Sequence, residues 1–562
     1  MNFKTIFKQC AGKGALFLCV LLAGVLLYAP FAANPAVFDD HGIITNHAVF
    51  DFAQEPFSRY ARTFPYFSIG FVHVLSGGDL AWNRYLNIFL HGLVVLVLYF
   101  FLLRATSCVG YENGRVRRNV LMFTCFWVAI NPVSVYAVGY LIQRTTIFAT
   151  LFCLVSANLY LRAQQQARGA DLFSAALLAC LAMMSKEHAI LIPEAAVVLT
   201  PMVCRWSRAV LLRATAYIFL TAPCSVWVIL HRAKDIIGVN YEIYSGQVLA
   251  QFAGLGFFNL PGGTWLMSIC TQLLLFWKYL FFWLVPNPQW MSVDLRVDFP
   301  GLWGGTWAYI GLALSLVVLI VAMVAWLRSA NASRVQQWSA LLLFAVIPFA
   351  VELSVVRVQE PFVLYRSYLW MPAYALLFCC LLLQIDGGLV QTQLVAYRRA
   401  FWCAMVFACA ALFPLAQDRL QSFSSEEALW QDALSKLTKP DVAGADRIYY
   451  NLAGEAYRRK DFNEALRLAE KVLAQNPGGV QGYLAKGTSL LALGRLDDAK
   501  TAFDEASAHQ PPPNFFGYIE YKRCGVLEAR GEREAMIDCL QRSAKMGYEM
   551  ASFRLRMAGV GE

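Results

Sequence analysis

Charged side chains are scarce in this sequence: 15% of its 562 residues, against 58% apolar and 14% aromatic. A chain of this length built from soluble domains needs more charge to cover its surface, so the composition implies a membrane protein. Fifteen cysteines are present, but none forms a Cys-x-x-Cys pair, which removes the usual zinc spacing. Thirteen of them, Cys10 through Cys409, lie in or beside apolar segments, where the thiol serves as a small hydrophobe. A basic stripe is also missing. The formal net charge is +10, yet the arginines are spread through short loops between apolar runs, a pattern that sets membrane topology and gives no footprint for nucleic acid. Nor is there a pair of interrupted helices in equivalent halves of the chain, so transport is the least favoured function.

What charge there is divides the molecule in two. About half of it falls after residue 417, where the composition becomes that of an ordinary soluble domain. Residues 1–417 are therefore expected to form a membrane domain and 418–562 a soluble one. The first apolar run, Gly14 to Ala33, follows Lys4, Lys8 and Lys13 and exceeds a signal-peptide core in length, so it reads as a retained helix. Further runs near 84–103, 119–138, 145–162, 172–184, 188–204, 209–231, 304–327, 335–353, 367–385 and 400–416 bring the expected spans to eleven. Residues 246–285 are apolar too. Counting them as another span would invert the charge of every later loop, so they read as embedded or interfacial helices.

With the N-terminus inside, the cytoplasmic loops collect Arg104, Arg115, Arg117, Arg118, Arg162, Arg168, Arg205, Arg208, Arg213, Arg328, Arg334, Arg398 and Arg399. The opposite loops collect acids: Asp39, Asp40, Asp51, Glu55, Glu187, Asp235, Glu242, Asp294, Asp298 and Glu360. Eleven spans place the soluble domain on this acidic, outer side.

From about Glu426 the apolar periodicity is helical and self-similar. Ala465 and Ala499 are 34 residues apart, as are Pro477 and Pro511, which is the tetratricopeptide period. Repeats are expected at about 446–479 and 480–513, with a degenerate third at 517–550 carrying Tyr521, Cys524, Gly531 and Met536. Cys524 and Cys539 then face each other across one hairpin, packed free thiols being favoured over a disulfide. Such arrays bind peptides or proteins in a groove, here with Tyr449 and Tyr483 as aromatic contacts, and perform no chemistry themselves.

Chemistry falls to the outer loops. Asp39 and Asp40 follow the first span, and mutual repulsion near a low-dielectric surface raises at least one of their pKa values, as a general base requires. A solvated, helix-capping loop is the plainer alternative. Other segments on the same side add Arg59, Arg62 and His73, then Arg144, then Lys186, Glu187 and His188, then Glu360 and Arg366. A cation cluster at span ends can hold a lipid-linked phosphate, although snorkelling or structural ion pairing explains Arg144 or Lys186 singly just as well.

The segments FDDHGIITN, Arg59 to His91 ending YLNIFLHGL, NPVSVYAVGYLIQRTTIFATLF, MMSKEHAILIPE, KYLFFWLVPNPQWMSVDLRVDFP, YRSYLWMP and SFSSEEALWQDAL, in this order, span nearly the whole chain. Together they resemble the GT-C class of membrane glycosyltransferases with C-terminal tetratricopeptide repeats, relatives of the transmembrane and tetratricopeptide-containing O-mannosyltransferases. The fold so implied is all-α: a polytopic GT-C domain of about eleven spans plus embedded or interfacial helices, followed by a soluble α-solenoid. The resemblance implies inverting transfer of one sugar from a polyprenyl-phosphate carrier to a hydroxyl on the periplasmic face of a bacterial inner membrane. Asp39 or Asp40 would be the base, and Arg144, Lys186 and Arg366 would hold the phosphate, with His188 and Arg62 as weaker candidates. Two departures stand out: Tyr365 replaces a common His before Arg366, and VDLRVD loosens an acidic aromatic pair. They leave the sugar, and any role for Asp294 or Asp298, open.

The repeats suggest a protein acceptor with Ser or Thr as nucleophile, type IV pilin being one candidate among bacterial relatives. Lipid A or another glycan is the competing acceptor, and a non-catalytic, membrane-anchored assembly scaffold is the competing class. No cofactor is expected, with Mg²⁺ or Mn²⁺ on the paired acids as the alternative.

Overall fold

The computed structural model describes residues 18–44, 48–54, 61–107, 114–240, 242, 245–252, 261–297, 306–330, 333–509, 511 and 513–559. Lys4, Lys8, Cys10, Lys13, Glu55, Arg59 and Asp298 lie outside the described residues, as does the side chain of Arg115. Helices account for the regular structure, and among the described residues the only β pairing is a single bridge between Leu295 and Phe362.

The apolar N-terminal part comprises α1 (Leu18–Phe31), α2 (Thr63–Leu75), α3 (Leu80–Ala105), α4 (Gly114–Ala129), α5 (Pro132–Val138), α6 (Arg144–Gln166), α7 (Gly169–Ser185), α8 (Ile192–Val198), α9 (Arg208–Val228), α10 (Gly263–Leu284), α11 (Thr306–Arg328), α12 (Arg334–Phe349), α13 (Met371–Gln391) and α14 (Val395–Gln421). The chain breaks where its residues cannot continue a helix. Asn131 accepts from Val133 N–H at 3.0 Å and Pro132 starts α5, so the apolar run 119–138 becomes two helices bent by 57°. Asp79, Ser207 and Ser333 cap α3, α9 and α12 in the same manner.

Among the described residues eight helices are long and apolar enough to cross a membrane, or nine if the bent pair is one span, against the eleven expected. The run 188–204 contains Pro193 and Pro201 and divides into a 3₁₀ turn Glu187–Leu191, α8, and a second turn Thr200–Met202. The α7 helix has only 17 residues, and α1 is described from Leu18 onward.

The bundle has an arginine end and an acidic end. At the first, Arg104 donates to Asn158 at 2.7 Å, Arg213 donates to Gln164 at 3.1 Å, Arg162 pairs with Asp171 at 3.1 Å, and Arg398 pairs with Asp386 at 2.7 Å. At the second lie Glu187, Glu242, Glu352 and Glu360. By composition α10 could cross between the ends, and most of its polar contacts are with the Leu353–Ser367 connection. Trp265 donates to Leu353 O at 2.8 Å, Ser268 to Val355 O at 3.2 Å, Gln272 to Pro361 O at 2.6 Å, and Trp283 to Ser367 at 3.0 Å. The helix therefore runs along the Leu353–Ser367 connection at the acidic end.

The boundary expected at 417–418 falls inside α14. Beyond it come α15 (Glu426–Ser435), α16 (Asp446–Arg458), α17 (Phe462–Gln475), α18 (Val480–Ala492), α19 (Leu496–Ala508), α20 (Pro513–Ala529), α21 (Arg533–Lys545) and α22 (Glu549–Met557). Small residues at the helix crossings permit the stacking: Ala465 and Ala499 are fully buried, and a Cβ on Gly487 would meet the Phe503 ring at 2.6 Å. Cys524 and Cys539 form a disulfide with Cα atoms 5.5 Å apart, correcting the preference for free thiols. The two helices of that hairpin pack closely enough to satisfy the short Cα separation a disulfide demands.

The two-ended arrangement has a direct consequence for labelling. Arg399, near the start of α14, and Glu549, in the repeats that follow its other end, are both exposed. In intact cells, Arg399→Cys and Glu549→Cys are expected to react with an impermeant maleimide from opposite faces of the membrane, above the background of the unsubstituted chain. Reaction of both from one face would refute the arrangement.

Candidate functional site

The loop after α1 carries Asp39 and Asp40, and α3 holds it by its backbone. Arg84 donates to the carbonyls of Ala32 at 2.8 Å and Pro35 at 2.7 Å, and also to that of Asn34. A guanidinium on several carbonyls fixes a turn that has no ladder of its own. The turn is tight enough to force Phe38 to φ +53°, a left-handed conformation that costs an L-residue about 1–2 kcal/mol. From the other side, Tyr140 accepts the Asp39 N–H at 2.9 Å, and Asp40 Oδ1 accepts from Ile142 N–H at 2.9 Å.

The two carboxylates differ in surroundings. Asp40 is buried, and its Oδ2 has no hydrogen-bond partner among the described residues. Burial, only partly offset by the Ile142 amide and Arg84, pushes its pKa up to about 7. Asp39 is open to solvent but lies in a recess walled by protein, and that enclosure, with the Glu360 carboxylate, pushes it up to about 6 against the pull of Arg447, Tyr140 and Arg62. Both values suit proton transfer near neutral pH.

Tyr140 leads from the acids to the cations. Its ring meets Tyr365 edge-on at 6.2 Å between centroids, and the Lys186 ammonium stands 5.2 Å from the Tyr365 centroid. Lys186 is buried where α7 ends, donating to Thr146 at 2.7 Å and Gln143 at 3.1 Å. Among the described residues no carboxylate comes within ion-pair distance of it. Burial, reinforced by Arg62 and Arg366, brings its pKa down to about 7.

The other cations expected at the phosphate are engaged. Arg62, itself at φ +70°, grips Glu187 with two hydrogen bonds, one of 3.0 Å from Nε. That grip, with His188, holds Glu187 well below the carboxylate range although its burial acts the other way. His188 sits between Glu187 at 3.6 Å and Glu352 at 3.2 Å. Arg366 pairs with Glu352 at 3.2 Å and Glu360 at 3.0 Å, and Arg357 pairs with Glu352 at 3.0 Å and Glu242 at 3.6 Å. Arg144 points away from this network. Its guanidinium is fully buried against Asn87 at 2.7 Å, both oxygens of Asn83, and Ser68 at 3.3 Å, with no carboxylate among these partners. Asp294 is buried, 2.5 Å from Arg296 and 3.6 Å from Arg447.

The site thus brings together Asp39, Asp40, Lys186, Arg366, His188 and Arg62, and it sets Arg144 apart in an amide nest. Glu352, Arg357 and Arg447 were not singled out from the sequence, and Glu242 only as one of the outer-loop acids. An acid and a base five residues apart inside the apolar stretch AVELSVVRV were the signal for the first two. In the repeats Tyr449 is buried among the packed side chains of α16 and α17, and Tyr483 is half-buried with its ring stacked on His509 at 5.0 Å. Tyr449 therefore supports the groove from behind.

Glu352 is the hinge of the ion network. Glu352→Gln leaves Arg357, Arg366 and His188 short of one buried charge, and a loss of about 3–5 kcal/mol is expected. Thermal unfolding of the purified chain in detergent measures it, and an unchanged midpoint would show that the network contributes nothing. The aspartates give a sign in pH. Their folded pKa values exceed the ordinary 3.8, so the folded chain holds extra protons between about pH 4 and about pH 7 and loses stability as pH rises through that window. Asp40→Asn removes its share, narrowing the gap between thermal midpoints at about pH 4.5 and about pH 8; an equal gap in both proteins would contradict the assignment.

Comparison with known proteins bears on the C-terminal part. Residues 456–516, from the end of α16 to the start of α20, match the family model of the tetratricopeptide repeat. No curated protein matches the chain.

Proposed function

We propose that this chain is an integral-membrane glycosyltransferase that moves a single sugar from a polyprenyl-phosphate carrier to a Ser or Thr hydroxyl of a protein acceptor. The acidic end would face the periplasm. The observation that carries this reading is Lys186: a buried ammonium with polar neighbours and, among the described residues, no carboxylate within ion-pair distance, joined through Tyr365 and Tyr140 to a pair of carboxylates tuned near neutrality. A buried cation is costly unless an anion completes it, and the phosphodiester of a lipid-linked sugar at the outer leaflet would supply that anion.

In the proposed step Asp39 or Asp40 takes the hydroxyl proton as the acceptor oxygen attacks the anomeric carbon. The bond from that carbon to the phosphate oxygen breaks, the configuration inverts, and the leaving phosphate gains charge. Lys186, with Arg366 behind it, stabilises that charge in a water-poor recess, where a fixed cation is worth more than in bulk solvent. Arg62 and His188 act through Glu187 and Glu352 and keep the site rigid. The repeats would present the acceptor, pilin being one membrane-anchored candidate, and the disulfide supports their placement in an oxidising compartment.

The repeat match alone favours a second reading, an assembly scaffold anchored by the helices. The two separate cleanly. Because one of the two aspartates is the base, either Asp39→Asn or Asp40→Asn is expected to lower transfer by about 10²–10⁴-fold without unfolding the chain. Mass spectrometry of extracytoplasmic proteins from cells with and without each variant reads this as loss of a sugar-sized increment. Full cellular function in the double variant would favour the scaffold. A chelator is expected to leave the transfer rate unchanged, since the positive charge comes from Lys186 and Arg366.

A further inference from the structure

The loop bearing the aspartates is held from two sides, and one of them is the repeat domain. Glu426, at the start of α15, accepts the Phe38 N–H at 3.0 Å. The Phe38 ring meets Trp430 of α15 edge-on at 5.3 Å, and the guanidinium of Arg447, from the first turn of α16, stands 4.6 Å from its centroid. Phe38 is also the residue in the left-handed conformation, so its strain is borne partly by contacts that the membrane helices do not make.

Arg447 reaches further. Both terminal nitrogens lie on Glu360 Oε1, at 3.1 and 3.2 Å, while Oε2 of the same carboxylate receives Arg366 at 3.0 Å. Arg447 also approaches Asp294 at 3.6 Å. The α16 helix is brought this close by its preceding turn: Gly444 has φ +82°, a Cβ there would strike Arg296, and its N–H donates to Gln251 at 3.1 Å. On the membrane side Arg419 of α14 pairs with Asp432 of α15 at 2.9 Å.

We propose that Arg447 is a positioning residue of the aspartate site, contributed by the repeat domain: it ties Glu360 to Arg366, packs over Phe38, and supplies the cation that faces Asp39. The site is therefore complete only when the first repeat is docked. Besides burial, four groups facing Asp39 set its proton affinity: Glu360 opposes its ionisation, and Arg447, Tyr140 and Arg62 favour it, with Asp40 next to it in the chain. His41 and Glu426, 3.9 Å apart, flank the same loop. Without Arg447, Asp39 would face Glu360 with one cation fewer and would hold its proton to higher pH.

This inference rests on the proposed glycosyl transfer only for the importance of Asp39, and its test does not use transfer. A water-soluble carbodiimide with an amine nucleophile modifies carboxyls in their protonated form, so the pH at which Asp39 modification falls by half, mapped by mass spectrometry on the full chain in detergent, reports its proton affinity. In Arg447→Gln that midpoint is expected to rise by about one pH unit, and in Arg447→Lys to stay near the parent value. In Glu360→Gln, which removes the opposing carboxylate, it is expected to fall. The two signs distinguish positioning from bulk support. Loss of docking would open the recess to water and lower the midpoint in every variant, and a fall or no change in Arg447→Gln would overturn the proposal. If the midpoints move as expected while Asp39→Asn cells still form product, the glycosyl-transfer reading fails and the role of Arg447 stands.

Discussion

An apolar bundle can hold charge only where each charge is answered, and the Glu352 carboxylate is the point on which the acidic end depends. It lies fully buried at the end of α12, with Arg357, Arg366 and His188 all within 3.2 Å. Burial alone would keep such a group protonated, and three basic partners reverse that. Because those partners come from the Leu353–Ser367 connection and from the turn after α7, one carboxylate fixes the relative placement of α7, α12 and α13 at this end. The α10 helix then lies along the same connection.

The same constraint divides the cations by availability. Arg62 is spent on Glu187 and acts as a strut, whereas Arg366 shares Glu352 with Arg357 and Glu360 with Arg447, so those carboxylates cancel only part of its charge. Lys186 and Arg144 are met by amides and hydroxyls only, which satisfy hydrogen bonds without cancelling charge. Of these two, Lys186 lies beside Tyr365 and the aspartates, whereas Arg144 is sealed between α2 and α3. Reading all five cations as one phosphate cluster overlooks this difference, because sequence position shows which leaflet a residue belongs to and not which neighbour neutralises it.

Large parts of the molecule were legible because they rest on periodic signals. The 34-residue spacing of Ala465 with Ala499 and Pro477 with Pro511 exposes the repeats, and the alternation of arginine-rich and acid-rich loops exposes the two ends. The illegible parts depend on aperiodic, long-range contacts. Glu352 and Arg357 interrupt an apolar run with no spacing rule to mark them. Arg447 reads as a solvent-facing residue of an amphipathic repeat helix until the turn at Gly444 carries it against Glu360. Apolar content near 188–204 suggested a continuous span, yet Pro193 and Pro201 each remove a backbone donor, and the chain crosses that region in short pieces.

The difference between Asp39 and Asp40 follows from where the loop is held. Arg84 and the Ile142 amide draw Asp40 inward, and the repeats draw Phe38 outward, so the residue between them is left at the surface of the recess. A base must reach an acceptor that arrives from solvent and must release its proton there afterward. Asp39 meets both conditions, being open to solvent and flanked by Tyr140 and Glu360. Asp40 has one oxygen committed to an amide and the other enclosed without a partner, a position that favours holding a proton over exchanging it. Adjacent carboxyls that cannot both ionise cheaply share one proton between them, and the enclosed member is the better place for it. On the proposed chemistry Asp40 would then serve as the neutral neighbour that spares Asp39 a second repelling charge, and the turn at Phe38 is the strained element that keeps the two apart in function while they remain adjacent in sequence.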